Sequence, residues 1–154
     1  MTPDDPEVQG FLADSMVVEL ATLSRKAVPS LTPIWFVCDH GRIYMGTGAA
    51  TLAVRNISAR AGVVLLFDAE RRGKSDRILR ITGHATVRRD TPTLRVLLRM
   101  AMKYFLSPGG MRSELAHFRK WGLRRRYYAQ GKPAVIEVVP ETAEFLPGIA
   151  ASGG

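Results

Sequence analysis

A single cysteine, Cys38, in a chain of 154 residues excludes a disulfide framework and a thiolate metal site. Lying in an apolar stretch, it reads as a packing residue rather than a nucleophile. Only three histidines are present, His40, His84 and His117. None belongs to an H-x-x-x-H pair and no carboxylate cluster accompanies them, so metal catalysis is not supported. No apolar run reaches the roughly 18 residues that a membrane-spanning helix needs. The start, MTPDDPEVQ, is acidic and proline-containing, unlike a secretory leader. The expected location is cytoplasmic, with no membrane partner. There is no G-x-S-x-G elbow for a serine hydrolase. Gly73-Lys74-Ser75 superficially matches the end of a phosphate-binding P-loop, but the position of its first glycine is Asp68, an acid that would repel phosphate.

Acids are scarce in one region. Between Arg71 and Lys132, seventeen Lys/Arg face three acids (Asp76, Asp90 and Glu114), a surplus of fourteen; the chain's net charge of +8 leaves the remainder at −6. Such asymmetry favours an anionic partner without choosing among nucleotide, phosphate, acidic protein and nucleic acid.

The composition, 46% hydrophobic and 23% charged, is that of a globular protein. The length suits one domain, expected over 1–147, with 148–154 a disordered tail. Apolar periodicity predicts a short helix over Pro3–Asp14, with Val8, Phe11 and Leu12 on one face covering the end of a barrel. Strands follow at Met16–Ser24, Pro29–Asp39 and Arg42–Thr47, with a hairpin at His40-Gly41 joining the second and third. Thr51 reads as the N-cap of a helix from Leu52 to Arg60, ended by Gly62, and Val63–Asp68 is a fourth strand. A polar loop, AERRGKSD, leads to a fifth strand, Arg77–Arg89, in which Gly83 marks a bulge or a close approach. Two helices are expected next. Asp90-Thr91-Pro92 caps one that runs to Phe105 and carries Arg95, Arg99 and Lys103 on one face; the other covers Met111–Trp121. The last strand is read as Pro133–Val139. Strands without regular helical alternation favour an antiparallel barrel: mainly β with inserted helices.

Two constellations could carry function. Gly46-Thr47-Gly48-Ala49-Ala50-Thr51 leads from a strand into a helix, and a Gly/Ala/Thr-rich turn there leaves backbone N–H groups able to hold a phosphate. Basic residues interleave with aromatics in His117–Trp121 and Arg124–Tyr128, a pattern that serves single-stranded nucleic acid or, more plainly, an amphipathic helix with solvated arginines.

Four phrases in register, LATLS, PSLTPIWFVCDHGRIYMGT, TLAVRNISARAGVVLLFD and RITGHATVRRD, cover about 70 residues. Together they resemble the flavin-binding split β-barrel, the pyridoxamine 5′-phosphate oxidase-like superfamily that includes flavin/deazaflavin-dependent oxidoreductases. The resemblance implies a homodimer of six-stranded antiparallel split β-barrels with cofactors in clefts between the subunits. It also implies hydride transfer between FMN, or the deazaflavin coenzyme F-420, and a small organic substrate. By position, Ser30, Leu31, Thr32 and Pro33 would line the ring; Gly46, Thr47 and Thr51 would surround the phosphate or ribityl chain, with Asn56 near the same helix start. Trp35 is expected at the dimer contact, and residues from Lys103 to Tyr128 are expected to shape the substrate pocket. One departure stands out. The family's TAKVRN carries a phosphate-contacting lysine where TLAVRN has Ala53, and loss of a charge-assisted contact costs on the order of 1.5–3 kcal/mol. Arg55, Lys74, Arg77, Arg80 or a basic residue of the partner subunit could compensate. Ala53 equally suits a barrel that has lost flavin and binds another anionic or aromatic ligand, such as haem or a lipid. A nucleic-acid partner ranks below both.

Overall fold

A computed structural model describes residues 1–68, 77–88 and 133–147. Its elements, in chain order, are α1 (Pro6–Asp14), β1 (Val17–Leu23), β2 (Pro29–Asp39), β3 (Arg42–Gly48), α2 (Leu52–Ala59), β4 (Gly62–Asp68), β5 (Arg77–Arg88) and β6 (Pro133–Pro147). The strands close into one barrel in the order β1-β2-β3-β6-β5-β4, every pair antiparallel. The expected loop at 69–76, the helices at 92–105 and 111–121, the basic segment at 117–128 and the tail at 148–154 lie outside the described residues.

Alternation along the strands builds the interior. Leu20, Phe36, Ile43, Met45, Leu65, Phe67, Leu79, Ile81, Ile136 and Val138 point inward and are fully buried or nearly so. Phe36 and Phe67 meet edge to face with centroids 4.9 Å apart. The two helices close opposite ends of the barrel. Val8, Phe11 and Leu12 of α1 plug one end, where Phe11 stands 5.3 Å from Phe145. Ala53 and Ile57 of α2 plug the other.

Local chemistry explains the joints. His40 and Gly41 both have positive φ, 48° and 74°, as a two-residue hairpin between Asp39 and Arg42 requires. Thr51 caps α2, accepting from Val54 N. Gly62 does not end that helix as expected. Arg60 does, in an extended conformation, its N–H donating to Asn56 O while its guanidinium bonds the Ser24 and Arg25 carbonyls; Gly62 is already strand. The first helix starts at Pro6 rather than Pro3, because Thr2 and Asp5 form a closed turn ahead of it.

The larger correction is β6, which continues past Val139 to Pro147. Gly83 makes the extension possible. Thr82 pairs with Thr142 but Gly83 with Pro140, so Glu141 is the extra residue of a bulge. A Cβ at position 83 would lie 2.4 Å from Val139 O, closer than any side chain tolerates.

Candidate functional site

The hydrogen-bond ladder locates an opening in the barrel wall. Ser24 N bonds Val28 O across the β1–β2 turn, which makes that pair a hydrogen-bonded one. Bonded and non-bonded pairs alternate along an antiparallel ladder. Thr22–Ser30 and Leu20–Thr32 therefore exchange bonds, whereas Leu23–Pro29, Ala21–Leu31 and Glu19–Pro33 do not. Both prolines fall in the non-bonded set, where a missing N–H costs the ladder nothing. Leu31, between them, turns its N–H and C=O away from β1 and toward the side of β3.

Among the described residues, no strand meets it there. β3 pairs with β2 only over Phe36–Asp39, and beyond the Phe36–Met45 pair the two strands part. Gly46, Thr47 and Gly48 continue on β6 instead. Pro29 to Trp35 and Gly46 to Gly48 are thus the two lips of a single split. The structure brings together the segments the sequence nominated separately: Ser30, Leu31, Thr32 and Pro33 on one lip, Gly46 and Thr47 on the other, and Thr51 where α2 begins. Leu31 and Pro33 point outward and are exposed; Ser30 and Thr32 point inward and are half-buried. Trp35 is half-buried at the point of parting.

At the start of α2 the hydroxyls are already engaged. Thr51 Oγ1 lies 3.0 Å from Gly48 O and 3.4 Å from Val54 N, and Thr47 Oγ1 lies 3.3 Å from it. What remains for a ligand is main chain. The N–H groups of Leu52 and Ala53 donate to no backbone oxygen among the described residues. Asn56 is 3% exposed, and its Nδ2 donates to Thr22 Oγ1 at 3.0 Å, so it ties α2 to β1 from inside the barrel. Arg55 is exposed on the first turn.

Ala53 is 3% exposed and packs with the barrel core. Two of the proposed substitutes for the missing lysine are placed elsewhere. Arg77 pairs with Glu7 of α1 at 2.8 Å and lies over the Phe145 ring, at the end opposite α2. Arg80 pairs with Glu144 and stands roughly 25 Å along β5 from Arg88, the strand's last residue. Lys74 lies outside the described residues.

One cluster was not anticipated from the sequence. Glu137 of β6 shares the outward face with Tyr44 of β3 and Thr86 of β5, yet is 3% exposed. Arg42 of β3 and Arg88 of β5 grip its carboxylate from either side, Arg88 Nε at 2.6 Å. A glutamate inside an apolar strand, with arginines on flanking strands, is the signal; the registers that join them are invisible in one sequence.

At the other end of the barrel, a cavity of about 360 Å³ lies between α1 and the β2–β3 hairpin, lined by Gln9, Leu12, Ala13, Cys38, Asp39, His40 and Gly41. It shares no residue with the split. Among the described residues no group of three His, Cys, Asp or Glu could hold a metal, and no helix is long and apolar enough to cross a membrane.

The family model for pyridoxamine 5′-phosphate oxidase matches residues 4–146. No curated protein matches the sequence. Among solved structures, the chain is similar to conserved hypothetical protein Rv2991 from Mycobacterium tuberculosis, with 19% identity, a TM-score of 0.67, and 94% of this chain and 84% of that one covered. It is similar to an F420 reductase, with 17% identity, a TM-score of 0.61, and 88% and 94% covered. It is also similar to HutZ, the haem storage protein of Vibrio cholerae, with 15% identity, a TM-score of 0.64, and 96% and 95% covered. At these identities the likeness is one of fold.

Proposed function

Because the chain belongs to the pyridoxamine 5′-phosphate oxidase family, we propose that it holds FMN or the deazaflavin coenzyme F-420 at the split between β2 and β3 and transfers hydride between that cofactor and a small organic substrate. The observation that carries this reading is the meeting of both nominated segments at one break in the ladder. The donors present fit such a group. Leu31 offers an N–H and a C=O in one strand plane, a match for the polar edge of a planar ring. The uncommitted N–H groups of Leu52 and Ala53 offer a seat for its phosphate.

When bound, the ring supplies the two-electron chemistry, and the chain's own residues bind, orient and exclude water. Main-chain groups held in a closed barrel orient without reorganisation. Thr47 and Thr51 act one step back by fixing the turn that aims the N–H groups. A reaction in which the ring carries the hydride needs no general acid or base from the described residues of the split.

The active form in this reading is a homodimer. The outward face of β1 and β2 exposes Leu23 and Leu31, Leu31 at 55%, on the same side as the split, and Val28 is exposed in the turn that joins the two strands. A second copy seated there would cover that apolar surface and the bound ring together. A second reading rests on Ala53: without a lysine at that position, the same split could serve a binding protein for another planar anion such as haem, the ligand named for one structural neighbour.

The test is a titration of the purified protein with FMN and with F-420, followed by fluorescence and absorbance, alongside sedimentation. Saturable binding of either, with a mass twice the 17.0 kDa chain, is expected. Binding of neither at high protein concentration removes the oxidoreductase reading; saturable haem binding in its place supports the second.

A further inference from the structure

We infer that Arg88, held in place by Glu137, is the cation that meets the cofactor phosphate in place of the absent lysine. This rests on the reading that the split binds a phosphorylated flavin or deazaflavin. Gly46 pairs with Val135, and Val135 pairs with Arg88, so all three stand in one row on the outward face of β3, β6 and β5. Two strand spacings separate the α-carbons of Gly46 and Arg88, about 10 Å. A guanidinium reaches some 6–7 Å from its own α-carbon, so a phosphate seated outside Gly46 and the start of α2 falls within its range. Of the other described candidates, Arg77 and Arg80 are paired with Glu7 and Glu144 elsewhere on β5, which leaves Arg55, exposed on the first turn of α2, as the one competitor from this chain.

The charge balance supports the assignment. Two guanidiniums grip one carboxylate, leaving a surplus positive charge on a face where Gly46 is exposed and the Arg42 and Arg88 side chains are about half exposed. Arg88 approaches Glu137 through Nε, 2.6 Å from Oε2. That buried carboxylate orients the fork before any ligand arrives. Because Arg88 comes from a strand that follows the helix by a β-hairpin, the loss of a lysine on α2 does not disturb it.

The experiment compares FMN with riboflavin, which lacks the phosphate, in the unaltered protein and in Arg88→Gln, Arg88→Lys and the control Arg80→Gln; for a chain that takes the deazaflavin, F-420 is compared with its phosphate-free chromophore. Arg88→Gln is expected to lower FMN affinity about ten- to a hundredfold while riboflavin affinity stays within about twofold. Arg88→Lys should fall between, and Arg80→Gln should match the unaltered protein. Equal losses for FMN and riboflavin, or unchanged FMN binding, would overturn the inference while leaving the cofactor reading intact. Failure of the unaltered protein to bind any of the four compounds removes that reading and this one with it.

Discussion

The hydrogen bond between Asn56 and Thr22 fixes the helix whose first turn faces the split, and its removal should be measurable. Thr22 is 2% exposed and Asn56 3%, with 3.0 Å between amide nitrogen and hydroxyl oxygen. Thr22→Val keeps the shape and strands the amide; Asn56→Leu keeps most of the volume and strands the hydroxyl. Each single change leaves one buried polar group without its partner, at a cost of about 1–3 kcal/mol. In a domain of this size each kcal/mol lowers the melting temperature by about 2–4 °C. The double variant removes both polar groups and leaves neither stranded. Its loss should therefore fall short of the sum of the single losses by about 1–3 kcal/mol. Urea unfolding followed by circular dichroism, with m unchanged, gives all four corners of the cycle. Additivity within about 0.5 kcal/mol would show that the two side chains do not act as a pair, and would refute the account of how α2 is anchored.

Gly83→Ala should be among the more damaging glycine substitutions in the chain, because its Cβ would stand 2.4 Å from Val139 O, a main-chain atom that cannot swing aside. A loss of about 1–3 kcal/mol, or aggregation on expression, is expected; an unchanged melting temperature would mean that the bulge is misplaced. Thr51→Ala removes the cap at the start of α2 and should cost about 1 kcal/mol in urea unfolding. Ala53→Lys would place an ammonium where the side chain is 3% exposed, so the unliganded protein should melt lower than the parent; an equal or higher melting temperature would show that position 53 has an open route to solvent.

Much of the barrel could be read in advance, because it is written in short-range signals. Leu20, Ile43 and Ile81 each follow an exposed charged residue, His40-Gly41 is a hairpin dipeptide, and Thr51 is a cap residue before an apolar run. Gly83 announced a close approach, though not what approached it. The far half of β6 was missed because Pro140 and Glu141 look like a turn; only the missing Cβ across the ladder lets the strand continue. At the site, the resemblance nominated both segments, but the break between β2 and β3 depends on registers that no single segment encodes. Asn56 looked like a ligand contact, and its partner stands 34 residues away, inside the barrel. Glu137 drew no reading from the sequence, because the two arginines that pair with it come from strands distant along the chain.

The prolines at 29 and 33 bear on what the split refuses as well as on what it admits. A strand with a bare flank ordinarily recruits another strand, and chains that leave one open risk stacking into fibres. Here two of every three donors that a docking peptide would seek along Pro29–Pro33 are missing, so an extended backbone finds no continuous row of partners to zip onto. A flat, rigid guest that asks for only one or two such contacts is not penalised. In the proposed reading the flank sorts guests by shape, resisting polypeptide and accepting a disc.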